Sequence, residues 1–346
     1  MNEIRIGILS FAHYHANFWS EVFRDSPEVA FVGVWDDDPR RGAESAARYG
    51  TQFVASLDAL LDAVDAVAVC SETAAHRPLI ERAAARGKHV LCEKPIATTR
   101  EDARAIAQAI DRAGVRFMQS FPKRFDPANH EIRRRLEAGF FGTPWLVRVR
   151  HGHRYGHDAA FTGGWWADPA RSGGGTLLDE GVHGADLLRW LFGDPESVTA
   201  LVSDRTSGLA VEDTALAIYR FPGGLLAELA TGWNFQAADV SIEIFGTKGS
   251  ALLSGVDLAS KEHTASGFLR FYSADQPQRT WEVSAIVPRF KTGGFHQQNA
   301  IAFVDALKRG AAPPIGLEDG RRSLAMVLAA YEAARTGITQ RVAEFY

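Results

Sequence analysis

The chain has 346 residues and only two cysteines. Its formal net charge is −4, and it has no long apolar run. Two cysteines are too few for a disulfide framework. A membrane-spanning helix needs about 20 consecutive apolar residues, so we predict none. The small negative charge argues against broad electrostatic binding of nucleic acid or anionic membranes. The N-terminus shows no basic, apolar and small-residue regions in series, as a signal peptide would. We therefore expect a cytoplasmic protein with no nucleic-acid or membrane partner.

Strands and helices alternate in the first third of the chain. Apolar runs predict strands at 4–9, 29–35, 64–69, 90–91 and 115–118, with helices between them. Thr99 is predicted to cap the last of these helices, and Gly114 to end it. Such alternation indicates a parallel sheet with helices on both faces. We predict a doubly wound α/β domain of the dinucleotide-binding Rossmann type over residues 1–121.

After Phe121 the alternation of strands and helices ends. Residues 240–244 alternate between apolar and polar side chains, and Pro222-Gly223-Gly224 separates two apolar runs as a hairpin turn would. Further helices are predicted at 127–138, 297–308 and 323–335. We predict an α+β domain over residues 122–346, built on a mostly antiparallel sheet.

The turn after the first predicted strand lacks the glycines of a Gly-x-Gly-x-x-Gly motif. It reads Ser10-Phe11-Ala12-His13-Tyr14-His15. Ser10 and Ala12 are small enough for the backbone to approach a pyrophosphate, but His15 stands where the third glycine would be. We predict that Ser10, Phe11, Ala12 and His13 contact the cofactor. The alternative is a turn that has lost its ligand.

Asp36 follows the second predicted strand, where a carboxylate can accept hydrogen bonds from ribose hydroxyls. An acid at this position repels a 2′-phosphate, so NAD is favoured over NADP. Arg40 and Arg41 lie close enough in sequence to blur that preference. The run 36–39 also fits an ordinary turn and helix cap.

The sequence Glu93-Lys94-Pro95 follows the fourth predicted strand. Ligands of parallel α/β sheets collect outside the carboxyl ends of the strands, and Pro95 stops the strand from continuing. Lys94 is therefore a candidate for contact with a ligand. The alternative is a solvated pair of Glu93 and Lys94 at a strand exit.

A second candidate site lies in the run 172–188. If this run is helical, Asp179, His183 and Asp186 share one face, and a carboxylate can orient the histidine as a base. A buried core histidine with a carboxylate partner is the alternative. The three residues would also form a metal site with His151, His153 or His157. The chain has no cysteine cluster and no His-Glu-x-x-His motif, so we expect no metal.

These motifs together resemble the Gfo/Idh/MocA family of nicotinamide-dependent oxidoreductases that act on sugars, inositols and related polyols. The resemblance covers nearly the whole chain and is specific through the order and spacing of its motifs. The matching residues are Glu93-Lys94-Pro95, the glycine, aspartate and histidine positions of 173–186, His76, Arg124-Phe125, Pro127, Trp165-Trp166, Glu212-Asp213 and 244–249.

The resemblance implies an enzyme that uses NAD and a small carbohydrate or polyol. It implies that Lys94 lies between nicotinamide and substrate, that His183 accepts the proton, and that Asp179 binds substrate and orients His183. It also implies a Rossmann domain followed by a domain with a large open sheet, and a homodimer or homotetramer formed through that sheet. Further cofactor contacts are predicted at Ser71, His76 and Glu93, and substrate contacts at Arg124, Arg154, Tyr155, Trp166 and Asp186.

Two other functions remain open at this point. An enzyme that keeps NAD tightly bound would oxidise its substrate only transiently, and would cleave or isomerise a sugar without net redox change. A dinucleotide or sugar sensor without catalysis would act through a partner protein. Such a sensor has no need of Lys94, Asp179 and His183 together.

Overall fold

The computed structural model describes residues 3–237, 240–256, 267–278, 280–287 and 293–346. Two compact units are present, one formed by Met1–Pro122 with Gly293–Arg321 and the other by Lys123–Thr292 with Arg322–Tyr346. Among the described residues, no helix is long and apolar enough to cross a bilayer.

The first unit contains a five-stranded parallel sheet with strand order β2-β1-β3-β4-β5. This confirms the predicted Rossmann sheet. Strand β3 is fully buried, as expected for a central strand covered on both faces. The elements are β1 (Ile4–Leu9), α1 (Ala16–Asp25), β2 (Val29–Trp35), α2 (Pro39–Arg48), α3 (Leu57–Ala63), β3 (Ala66–Val69), α4 (His76–Ala85), β4 (His89–Cys92), α5 (Arg100–Ala113) and β5 (Phe117–Gln119).

Local sequence explains where the helices of this unit begin and end. The side chain of Thr99 accepts a hydrogen bond from the backbone N–H of Asp102, and Gly114 ends α5 in the left-handed conformation with φ of 64°. Helix α3 was not predicted. Its cap is Ser56, and β3 accordingly begins at Ala66 rather than at residue 64.

The segment Gly293–Arg321 groups with the first unit, although the sequence analysis assigned it to the second domain. Helix α11 (Gly294–Lys308) packs on α1, and Gln297 Nε2 donates to Glu21 Oε2 at 2.8 Å. The backbone N–H of Gln119 donates to the carbonyl of Ile315 at 3.0 Å. These contacts join residues far apart in sequence, which local patterns do not reveal.

The second unit contains a nine-stranded sheet with order β13-β12-β11-β10-β6-β9-β8-β7-β14. Among the described strands of this sheet, only β6 and β9 pair in parallel, which confirms the mostly antiparallel sheet. The strands are β6 (Pro144–Gly152), β7 (Ser197–Ser203), β8 (Thr214–Arg220), β9 (Leu226–Gly232), β10 (Val240–Gly246), β11 (Gly249–Val256), β12 (Leu269–Ser273), β13 (Glu282–Val283) and β14 (Gln340–Arg341). The predicted hairpin at Pro222–Gly224 joins β8 to β9.

Two helices of the second unit pack on this sheet: α9 (Thr176–Asp179) contacts β8 and β9, and α10 (Gly181–Phe192) contacts β6 and β9. Along β8, residues alternate between buried and exposed, so that Leu216 and Ile218 face away from the core with Leu201 of β7. The predicted homodimer or homotetramer through this face stays a prediction. The helices are α6 (Pro127–Glu137), α7 (Ala159–Thr162), α8 (Pro169–Ser172), α9 (Thr176–Asp179), α10 (Gly181–Phe192) and α12 (Leu317–Thr336), whose first residues belong to the first unit.

Candidate active site

The turn after β1 keeps a backbone shape that normally requires glycine. Ser10 has φ of +71°, the left-handed conformation that side chains disfavour. The N–H of Ser10 donates to the carbonyl of Trp35 at 2.7 Å, and that of His13 donates to the carbonyl of Cys70 at 2.9 Å. The turn therefore connects the ends of β1, β2 and β3, where dinucleotides bind in parallel sheets.

Asp36 is the central acceptor of this turn. It is 3% exposed and accepts hydrogen bonds from the N–H of Phe11 at 2.8 Å and from the N–H of Asp38 at 3.0 Å. The guanidinium of Arg41 donates to both carboxylate oxygens, at 2.6 and 3.0 Å. Burial acts to raise the pKa of Asp36, but these hydrogen bonds outweigh it and hold that pKa below its ordinary value. The carboxylate is thus ionised and fixed in place.

Glu93 and Lys94 lie at the carboxyl end of β4, and they are 0% and 2% exposed. They therefore do not form the solvated pair that the sequence left open. Burial raises the pKa of the Glu93 carboxyl, while the positive charges of His13 and Lys94 act against that rise. The peptide bond between Lys94 and Pro95 is cis.

The predicted cofactor contacts Ser71 and His76 are both buried. The hydroxyl of Ser71 donates to the carbonyl of Glu72 at 3.1 Å. A ring nitrogen of His76 lies 2.9 Å from the carbonyl oxygen of Pro95, and burial lowers the pKa of this histidine. With no exposed surface, the His76 ring supports the segment that carries Lys94.

In the second unit, the predicted helix over 179–186 is interrupted. Helix α9 ends at Asp179, α10 begins at Gly181, and Glu180 lies between them. His183 is buried in the first turns of α10. A Cβ atom added to Gly184 would lie 2.3 Å from Leu229 Cδ1, so this glycine allows α10 to pack closely on β9.

A cluster of carboxylates and histidines surrounds this interruption. His151 Nδ1 lies 2.8 Å from Glu180 Oε2, and the rings of His151 and His183 are 5.0 Å apart. His153 Nε2 lies 3.7 Å from Asp179 Oδ2 and 3.8 Å from Glu180 Oε1. Burial acts to raise the pKa of Glu180, but the hydrogen bond from His151 and the charge of His153 outweigh it and lower that pKa. The histidines at the end of β6 therefore belong to the same polar cluster as Asp179 and His183.

Asp179 and Asp186 have different partners. Trp233 Nε1 donates to Asp179 Oδ2 at 3.0 Å, which holds one carboxylate oxygen. Arg124 donates to both oxygens of Asp186, at 2.6 and 2.9 Å, and the hydroxyl of Ser323 donates to it at 3.2 Å. Arg124 and Asp186, both predicted to bind substrate, thus form a buried ion pair with each other. Their contact with substrate stays a prediction.

The remaining predicted substrate residues lie in and after the loop that follows β6. Arg154 is exposed, whereas Tyr155 and Trp166 are half-buried. Tyr155 and Trp166 pack against a buried apolar cluster of Phe161, Val211 and Trp233. Since the same cluster contains the indole that donates to Asp179, it fixes the position of that carboxylate.

Sequence reasoning missed three residues that the structure brings to these sites. They are Glu180, which pairs with His151; Lys123, which is buried 3.9 Å from Asp126; and His296, whose ring lies against that of His15. Arg41, which the sequence analysis named only for its effect on cofactor preference, pairs with Asp36. The pairing of Arg41 with Asp36 has a weak signal in their spacing of five residues. His296 and His15 are too far apart in sequence for any local pattern.

Two family models match the chain. Residues 4–121 match the model described as "Oxidoreductase family, NAD-binding Rossmann fold", and residues 129–252 match the "GFO/IDH/MocA C-terminal domain". Together they include Lys94, Asp179 and His183.

Characterised relatives support this match over nearly the full length. The chain is 31% identical to a 1,5-anhydro-D-fructose reductase of Ensifer adhaerens, over 88% of this chain and 89% of the relative. It is 30% identical to a D-apiose dehydrogenase of Paraburkholderia graminis, over 96% and 88%. The structure of an aldose–aldose oxidoreductase of Caulobacter crescentus superposes with a TM-score of 0.81 at 26% identity, over 98% of this chain and 100% of that one. This chain therefore belongs to the GFO/IDH/MocA family of NAD-dependent oxidoreductases of sugars and polyols.

Proposed function

We propose that the chain is a dehydrogenase that oxidises a secondary alcohol of a small carbohydrate or polyol, or reduces the corresponding ketone. The observation that supports this proposal best is the position of Lys94, which is 2% exposed at the carboxyl end of β4 in the NAD-binding unit. A buried lysine beside a buried glutamate is an expensive arrangement for stability alone. It is well suited to stabilise negative charge that develops on a substrate oxygen.

Oxidation of a secondary alcohol removes a hydride from carbon and a proton from the hydroxyl. NAD held at the turn after β1 and at Asp36 would supply the acceptor for the hydride and its two electrons. We assign the proton to His183, which takes it in the neutral state through one ring nitrogen. Lys94, as an ammonium, stabilises the alkoxide oxygen until the carbonyl forms. In the reducing direction, protonated His183 returns the proton to the oxygen, and Lys94 stabilises the same negative charge.

The neighbours of His183 support this assignment. Its ring lies against that of His151, which Glu180 holds at 2.8 Å. This arrangement packs the His151 ring beside that of His183 and fixes the His151 ring through Glu180. Asp179, held by Trp233, is the group that we assign to substrate hydroxyls.

The residues at the end of β1 and β2 fit NAD. The left-handed conformation of Ser10 preserves the tight turn that glycine provides elsewhere, and Asp36 stands where ribose hydroxyls are bound. We propose NAD as the preferred cofactor. Arg41 does not create a preference for NADP, because its guanidinium is already paired with the carboxylates of Asp36 and Asp37.

A second candidate function is exchange between two sugars with NAD retained on the protein. The similarity to an aldose–aldose oxidoreductase favours it. Such an enzyme would turn over without release of NADH. Incubation with a panel of aldoses, ketoses and inositols, followed both by NADH absorbance and by product analysis, separates the two. Net NADH formation supports the dehydrogenase, and product without NADH supports the exchange.

We expect Lys94→Ala to slow hydride transfer in a single turnover by a factor of about 10² or more, since one preorganised charge at the oxygen is lost. Binding of NAD should persist. The matched control is Lys88→Ala, because Lys88 precedes the same strand and donates to the carbonyl of Val64 at 2.9 Å. A single-turnover rate equal to that of the unmodified enzyme would remove Lys94 from the mechanism.

We expect His183→Asn to reduce the oxidation rate and to abolish the fall in rate on the acid side of the pH profile. That fall reports protonation of the general base, so it disappears with the base. His157→Asn is the control, because His157 is exposed in the same unit. If the acid limb persists in His183→Asn, another residue is the base.

We expect Asp36→Ala to narrow the preference for NAD over NADP by about tenfold or more. Loss of the carboxylate removes repulsion of the 2′-phosphate and frees the Arg41 guanidinium to pair with it. Dissociation constants for both cofactors measure the change. In the double variant Asp36→Ala/Arg41→Ala, NADP should bind less tightly than in the single variant. A cofactor ratio unaffected by Asp36→Ala would place the ribose elsewhere.

A further inference from the structure

Three side chains of the first unit converge beneath the turn after β1. His13 and His15 belong to the turn, and Glu93 belongs to the end of β4. All three are buried, and one ligand atom from each lies within 4.8 Å of the others. His15 Nδ1 and Glu93 Oε2 are 3.2 Å apart. The predicted cofactor-binding role of His13 does not account for this convergence.

A fourth side chain joins them from α11. His296 is buried in the first turn of that helix, and its ring centroid lies 3.9 Å from that of His15. The ring centroids of His13 and His15 are 4.2 Å apart. Three imidazoles and one carboxylate thus occupy one buried region formed by α11, β4 and the turn.

We propose that His13, His15 and Glu93 form a binding site for one divalent transition-metal ion of the zinc class, with His296 packed against the ring of His15. Imidazole nitrogen and carboxylate oxygen are the ligands of zinc sites, whereas calcium and magnesium sites use oxygen. Around a tetrahedral zinc ion, with bonds of about 2.0 Å, two ligand atoms are separated by about 3.3 Å. The distance from His15 Nδ1 to Glu93 Oε2 matches that separation.

Electrostatics supports the same assignment. Glu93 is 0% exposed, and a carboxylate removed from water needs compensating positive charge. Lys94 acts in that direction, and a divalent ion bound by the imidazoles of His13 and His15 adds further positive charge. Burial on all sides also matches a structural metal site, which is closed to substrate.

The metal also explains the unusual composition of the turn. His15 occupies the position of the third glycine of a phosphate-binding motif, where a large side chain would otherwise weaken packing between helix and strand. As a ligand, His15 connects the turn to β4 and, through His296, to α11. The site therefore goes beyond the proposed dehydrogenase activity and does not depend on it.

The first test is the metal content of the purified full-length chain, measured by mass spectrometry after gel filtration. We expect about one zinc-class ion per chain. His15→Asn and Glu93→Gln should each lose most of it. His89→Asn should retain it, because His89 begins β4 at the opposite end of the strand from Glu93 and accepts a hydrogen bond from the backbone N–H of Arg116.

Cobalt titration of the chelator-treated, unmodified chain gives a second readout that needs no variant. We expect saturable visible absorption at one equivalent, with the intensity of a tetrahedral cobalt site, and a rise in melting temperature on addition of zinc. This experiment decides the question even if His15→Asn does not fold. Neither readout involves NAD or a sugar, so failure of the metal site and failure of the proposed function are distinguishable.

Three outcomes would overturn the proposal. Purified protein without metal that also binds no cobalt would mean that the side chains are held by other contacts, such as the hydrogen bond from the backbone N–H of His15 to His13 Nδ1 at 3.2 Å. Metal retained in both His15→Asn and Glu93→Gln would place it elsewhere. Metal lost only in His153→Asn would place it in the cluster of His153, Asp179 and Glu180.

Discussion

The need to neutralise buried charge determines the arrangement of polar residues in each unit of this protein. In the first unit, the Asp36 carboxylate is held by Arg41 and by backbone N–H groups, and Glu93 lies against His15. In the second unit, Arg124 neutralises Asp186. An isolated charge in such a position would cost several kcal/mol of folding stability, so removal of one partner leaves the other charge buried and unpaired. Each unit therefore contains fixed, oriented charges, and preorganised charge is what hydride-transfer chemistry requires.

The turn after β1 shows how a dinucleotide-binding architecture persists with changed residues. Glycine is favoured there because it adopts positive φ at no steric cost, yet Ser10 adopts the same conformation with φ of +71°. Hydrogen bonds from the N–H groups of Ser10, Phe11 and His13 to neighbouring strands hold the turn in this conformation. The glycine motif is absent, but Ser10 keeps the positive φ that glycine would adopt at this position.

Much of the fold follows from sequence periodicity. The parallel strands, the end of α5 at Gly114 and the hairpin at Pro222–Gly224 all result from local preferences, and the structure confirms them. The grouping of Gly293–Arg321 with the first unit depends on contacts with α1 and β5, which are distant in sequence. The interruption at Glu180 was missed because the spacing of Asp179 and His183 suits a continuous helix equally well.

The candidate site shows the same division between local and distant signals. The motif around Lys94 and the run containing Asp179 and His183 are short enough to recognise in sequence. The partners of their neighbouring carboxylates are not, since His15 reaches Glu93 and His151 reaches Glu180 only through the folded chain. The motifs identify the chemistry, and the tertiary contacts determine the charge state in which it operates.

A turn without the glycine motif should still bind NAD, and calorimetry measures this binding. Nucleotide-stripped protein, shown to be folded by circular dichroism, is titrated calorimetrically with NAD⁺, NADH and NADP⁺. We expect saturable binding of NAD⁺ and NADH and clearly weaker binding of NADP⁺. Absence of binding by all three nucleotides would contradict this expectation, and would mean that the altered turn has lost its ligand.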